Sequence, residues 1–119
     1  WIITTVDSPL IGACDEAPDG AENVTVFNNS REWVMIYSEG LKTQHLAYAV
    51  SPDLLHWSKQ GRIEVPEQDW MTTRYGAPFV WKDSDCWMMI LMGEDKEGHT
   101  SFGLLTSLDG FKWDILRKQ

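Results

Sequence analysis

One stretch of this chain is written twice, and that limits the folds open to it. Trp33-Val-Met-Ile-Tyr37 returns as Trp87-Met-Met-Ile-Leu91, an offset of 54 (33 to 87). Carried back without a gap, the offset lays Val24–Phe27 over Pro78–Trp81 and Asn28–Ser30 over Lys82–Ser84. Carried forward, Ser51-Pro-Asp-Leu-Leu-His-Trp57 meets Ser107-Leu-Asp-Gly-Phe-Lys-Trp113 at an offset of 56 (51 to 107). The two extra residues fall in the loops after Glu39 and Glu94, where insertions are tolerated. A unit of about 55 residues that occurs twice is a supersecondary module that must stack to bury its faces.

Each copy reads as a run of short strands. The first has Val24–Phe27, Trp33–Ser38 and His45–Val50, with a fourth strand expected near Arg62–Val65. The second has Phe79–Trp81, Cys86–Met92 and Ser101–Thr106, then a short run near Lys112. Turns rich in Asn, Asp, Ser and Gly separate them, as hairpin chemistry requires. Sustained 3.6-residue amphipathy is missing, and Leu54–Trp57 is the one segment that suits a helical turn. The expected fold is all-β: two consecutive four-stranded antiparallel blades of propeller type, about 16–66 and 72–119, in a single domain. Ile2–Val6 reads as a further strand completing a blade.

Composition narrows the partners. The 119 residues carry a formal net charge of −8, a field that repels phosphate backbones and anionic bilayers, so nucleic acid and membrane are excluded as partners. Neither a signal peptide nor an apolar stretch long enough to span a bilayer is present in the sequence, so a soluble protein is expected. Two cysteines, Cys14 and Cys86, allow one disulfide but no four-ligand zinc site. The acidic loop Asp15–Gly20 lacks the regular spacing of calcium ligands, so no metal and no cofactor are assigned. Seven tryptophans are unusual for this length; Trp33, Trp57, Trp87 and Trp113 fall on the repeat and are assigned to packing, as are Met88, Met89 and Met92.

Three elements together resemble a known group: Trp-x-Met-x-Tyr-Ser at Trp33–Ser38, Ala-x-Ser-x-Asp-Leu-x-x-Trp at Ala49–Trp57, and Ala-Pro-Phe-Val-Trp-Lys-Asp at Ala77–Asp83. They look like two blades of the five-bladed β-propeller glycosidases, the clan of glycoside hydrolase families 43, 32 and 68. Ser107–Trp113 is also similar to the turn motif of sialidases, one residue short. The resemblance implies a carbohydrate-active module that holds a glycan at loops where the blades begin. It further implies two catalytic carboxyl groups, brought from inner strands of different blades by short segments ending in proline.

On that pattern Glu22, two residues before the position equivalent to Pro78, matches the general acid, and Glu16 in Glu-Ala-Pro18 is the competing match. In the second copy the acid is expected at residue 77, which is alanine and cannot stabilise a charge. An intact hydrolytic centre within one chain is therefore doubtful, and the alternative is a non-catalytic interaction or assembly protein. Arg74 and Tyr75 precede Gly76-Ala-Pro78 and suit a hydroxyl-rich ligand. Trp70 lies in the polar stretch Glu67–Arg74 and is the candidate platform for stacking on a sugar ring.

Two blades leave two broad apolar faces without neighbours. Repeats of this kind normally need about three copies for stability. Either the sequence is a piece of a longer chain that supplies the neighbours, or copies associate; self-association is expected, as a face-to-face dimer or as three chains in a six-bladed ring.

Overall fold

The computed structural model describes residues 9–15, 17–40 and 42–116. The strand expected at Ile2–Val6 and the candidate Glu16 lie outside the described residues. Eight strands form two separate antiparallel sheets, each a simple meander. Blade one is β1 (Ala21–Asn28), β2 (Trp33–Glu39), β3 (His45–Ser51) and β4 (Ser58–Arg62). Blade two is β5 (Arg74–Asp83), β6 (Cys86–Glu94), β7 (Thr100–Ser107) and β8 (Asp114–Ile115). A single 3-10 turn, Asp69–Met71, is the one helical element among the described residues. The all-β, two-blade expectation is what the chain adopts.

Backbone geometry repeats with the sequence. Left-handed residues occur in pairs at the same offsets: Asn23 (φ 53°) with Ala77 (φ 51°), Ser30 (φ 76°) with Ser84 (φ 54°), and Leu54 (φ 71°) with Gly110 (φ 84°). The first pair marks a bulge near the start of each inner strand, between Glu22 and Val24 in β1 and between Gly76 and Phe79 in β5. A bulge re-aims the strand and frees a backbone N–H from the ladder. In β5 two N–H groups reach across to blade one: Ala77 N–H, in the bulge, donates to Ser38 Oγ at 2.8 Å, and Val80 N–H, in the regular register beyond it, to Thr25 Oγ1 at 3.2 Å.

The two blades pack face to face. Val34, Ile36 and Leu46 of blade one meet Met89, Leu91 and Leu105 of blade two, all of them at 0% exposure. Phe27 rests on Trp87 with ring centroids 4.6 Å apart. Strand β5 lies over β1, β2 and β3, so the inner strand of one blade is also the cover of the blade before it. Burying such side chains stabilises by roughly 1.5–3 kcal/mol each.

Two expectations shift. Ile63 and Val65 suggest a fourth strand at Arg62–Val65, yet β4 ends at Arg62. These two residues belong to the connecting segment, where they cap the core between the blades, so tertiary burial overrides the strand pattern. Leu54–Trp57 is not helical. Ser51 Oγ accepts N–H bonds from Asp53 (3.2 Å) and Leu54 (2.9 Å), and Asp53 Oδ1 accepts from Leu55 (2.9 Å) and His56 (2.8 Å). Trp57 Nε1 then donates to Leu54 O at 2.7 Å. Ser107, Asp109 and Trp113 repeat every one of these bonds, with Trp113 fully buried.

These turns make stability depend on acid pH. Backbone N–H donors, His56 first for Asp53 and Lys112 first for Asp109, hold both carboxyls below the ordinary 3.8. A carboxyl whose folded pKa is depressed contributes fully above the unfolded value and loses that contribution as pH falls through the folded one. Urea midpoints should therefore be level near neutrality and fall below about pH 4. An Asp53→Asn/Asp109→Asn variant, which keeps acceptors without charge, should show a flatter decline.

Candidate functional site

Antiparallel meanders place the starts of β1 and β5, the loop between β2 and β3, and the segment from β4 to β5 at one end of the stacked blades. There a groove of about 520 Å³ opens between the two sheets. Thr43, Gln44 and His45 line it from blade one, Arg62, Glu64 and Glu67 from the connection, and Arg74 and Tyr75 from blade two. Tyr75 N–H donates to Gln44 O at 3.1 Å, which ties the walls together.

Gln44 organises this end. Its side chain is buried, and its Nε2 donates to Glu22 Oε1 at 2.7 Å and to Gly40 O at 3.2 Å. Any Cβ at position 76 would overlap Gln44 Oε1 and Ser38 Oγ, so the inner strand of blade two passes close only because residue 76 is glycine. Glu22 is thus joined to the groove through Gln44, although it lies on the opposite side of the sheet edge, against a smaller apolar hollow with Ile11, Val24 and Tyr37.

Arg74 Nε donates to Glu94 Oε2 at 2.6 Å, across the β5–β6 pair. Arg62 donates to the Tyr75 hydroxyl at 3.2 Å, which brings a guanidinium and a phenol together on the groove wall. The groove wall brings Arg74 and Tyr75 together with three residues the sequence reading did not single out, Gln44, His45 and Arg62. Those three were missed because their nearness to residue 74 follows from stacking one blade on another. The available signal was the meander itself, which sends the 40–44 loop and the 63–73 segment to the same end.

Trp70 has a different position. The benzene portion of its indole spans Gly93 and Gly103, where any Cβ would overlap the ring. Its neighbours Met71 and Thr72 line the groove, while the Trp70 ring covers the sheet of blade two. A glycine inside a strand is the signal for such a close approach.

Behind the site, a polar cluster sits on the outer face of blade one. Glu39 Oε2 lies 3.2 Å from His45 Nε2, and Glu39 Oε1 lies 3.2 Å from Lys59 Nζ. Lys59 also donates to Cys14 Sγ at 3.2 Å, and its bond to that sulfur, with help from Glu39, holds its pKa above the ordinary lysine range. The Tyr37 hydroxyl beside them is buried without a hydrogen-bond partner, and burial pushes its pKa up to about 12. Cys14 and Cys86 are both free thiols. Asp95, Glu97 and His99 bring ligand atoms within 4.8 Å of one another in the β6–β7 loop, largely exposed. Asp95 there accepts N–H bonds from Glu97 and His99, the His99 bond chiefly lowering its pKa.

No protein-family model matches the sequence, and no curated protein matches it. Among solved structures the likeness is extensive. A structure from the GH130 family of mannoside phosphorylases, which contains glycoside hydrolases that target β-1,2 mannosidic linkages in Candida mannan, superposes with TM-score 0.77 at 14% identity. That match covers 91% of this chain and 38% of the other. A thermostable family-43 glycoside hydrolase gives 0.69 at 17% identity, over 82% of this chain and 32% of that one. The Bombyx mori GH32 β-fructofuranosidase BmSUC1 gives 0.64 at 18%, over 79% and 22%. These are five-bladed β-propeller glycosidases. The chain spans less than two fifths of each of them, and the likeness is one of fold. No helix among the described residues is long and apolar enough to cross a membrane.

Gly103→Ala should test the Trp70 cover. Overpacking of this kind costs about 1–3 kcal/mol. Pairing the change with Trp70→Leu should recover part of the loss in urea unfolding, and strict additivity of the two losses would show that they do not touch.

Proposed function

We propose that this chain is a carbohydrate-active β-propeller module of glycosidase type, binding a glycan in the groove at the end where the inner strands begin. One observation carries the reading: on a propeller-glycosidase fold, the end that holds Glu22 also holds a groove lined by Arg74, Tyr75, Gln44 and His45. Paired donors and acceptors of this kind suit sugar hydroxyls. The face of Trp70 turned away from Gly93 and Gly103 is offered as the stacking surface at the edge of that groove.

Hydrolysis needs two carboxyl groups, about 5–5.5 Å apart for retention or 6.5–9.5 Å for inversion. Glu22 is the assigned acid. Position 77 of blade two supplies a methyl group, so the second carboxylate has to come from another blade. That blade belongs to another subunit or to a part of the protein outside these 119 residues. A second reading, a non-catalytic interaction or assembly protein, draws its support from Ala77 itself.

A glycan array and a panel of chromogenic glycosides separate the two. The module should bind glycans with Tyr75→Phe and Arg74→Ala weakening binding about tenfold, the worth of roughly 1.4 kcal/mol of hydrogen bonding. Trp70→Leu, which keeps an apolar cover, should weaken binding while leaving the fold intact. Glu22→Gln should abolish any turnover without abolishing binding. Binding without turnover supports the interaction reading, and the absence of both removes the carbohydrate reading.

A further inference from the structure

One cluster of reactive groups has no part in the groove. Cys14, from the segment before β1, meets Glu39 at the end of β2 and Lys59 in β4. Cys14 and Lys59 are 45 residues apart in sequence, yet Lys59 Nζ donates to Cys14 Sγ at 3.2 Å. The thiol directs its own proton at Glu39 Oε1, 3.7 Å away, and Lys59 Nζ reaches the same carboxylate oxygen at 3.2 Å. An acceptor for the thiol proton and a cation for the resulting thiolate therefore adjoin one sulfur. The thiolate is the form of cysteine that reacts. Cys14 is a free, half-buried thiol.

A second feature points to a further atom at this sulfur. The Tyr37 hydroxyl, on a side chain only 2% exposed, has no hydrogen-bond partner. Burial keeps it protonated, with its pKa up at about 12, and Lys59, Glu39 and Cys14 all act on it electrostatically. A buried donor without an acceptor is unfavourable. An oxygen bonded to Cys14 Sγ supplies the acceptor.

We propose that Cys14 and Lys59 form a site of oxidative modification, at which hydrogen peroxide joins Sγ to Nζ in a sulfenamide bond. Glu39 first takes the thiol proton, and the thiolate attacks one peroxide oxygen. An S–O bond forms, the O–O bond breaks, and the departing hydroxide takes that proton and leaves as water. Sulfur is oxidised by two electrons to a sulfenic acid while peroxide is reduced. Tyr37 O–H donates to the new oxygen. The bond to the sulfur is what chiefly holds the proton on Lys59, and it weakens once the sulfur has lost its charge. Lys59 then passes a proton through Glu39 to solvent, and its neutral Nζ attacks the sulfur. The S–N bond forms, the S–O bond breaks, and the oxygen leaves as hydroxide, which takes a second proton from Nζ and departs as water. The product ties the segment before β1 to β4 and removes the Lys59 charge from Glu39, leaving that carboxylate with His45 on the groove wall. None of this rests on the glycan reading.

Cys86→Ser protein, which cannot close an internal disulfide, is the material for the test. After equimolar hydrogen peroxide its intact mass should fall by that of two hydrogen atoms. A tryptic digest should contain the Cys14 peptide joined to the Lys59 peptide, and dithiothreitol should separate them. Lys59→Arg in the same background keeps the charge but offers no nucleophilic amine, so Cys14 should gain oxygen and be trapped by dimedone. Tyr37→Phe should slow the bond about tenfold, through loss of the hydrogen bond to the departing oxygen. Tryptophan near-ultraviolet dichroism checks that each variant is folded. Cys14 gaining oxygen while Lys59 stays free in the Cys86→Ser protein overturns the inference. So does a Cys14 that peroxide leaves unchanged, or a cross-link that still forms in Lys59→Arg.

Discussion

A four-stranded sheet with apolar side chains on both faces is a poor independent object, and this molecule is organised around that fact. The problem is solved once inside the chain, by making β5 serve two blades. Its ladder to β6 builds blade two, while its opposite side roofs β1, β2 and β3 of blade one. The bulge at Ala77 supports the double service, because it releases the Ala77 N–H from the ladder and turns it onto Ser38, while Val80 N–H reaches Thr25 from the regular register beyond it. Gly76, where the strand passes Gln44 and Ser38 without room for a side chain, completes the approach. The groove, and its link through Gln44 to Glu22 on the other side of the sheet edge, follow from this one strand crossing.

Much of this was legible in the sequence because the repeat is local information. The 54-residue offset located seven of the eight strands to within a few residues, and the Ser-x-Asp-x-x-x-Trp element announced its turn through side chains that bond their own backbone. What escaped was whatever depends on one blade touching the next. Ile63 and Val65 look like strand residues because they are apolar and close together, but their burial is against the interblade core. Trp70 looks like a loop ring among polar neighbours, and nothing nearby in sequence reveals the two glycines, 23 and 33 residues on, that receive it. Of the residues that line the groove, Arg74 and Tyr75 were flagged by the motif beside them. Gln44, His45 and Arg62 were not, since no motif surrounds them.

Residue 77 joins the structural and chemical arguments. Its φ of 51° is one that L-residues other than Asn and Asp rarely adopt, and Asn23 occupies the same conformation in blade one. A short polar side chain therefore suits the backbone at both bulges on conformational grounds, before any chemistry is considered. Alanine keeps the conformation and bears its strain while giving up the local hydrogen bonding that Asn or Asp would supply. The bulge persists because Ala77 N–H is held by a fully buried serine, Ser38. The backbone feature is thus maintained by packing between blades, independently of what the side chain does. For that reason the groove and the blade contact hold whichever short side chain occupies position 77.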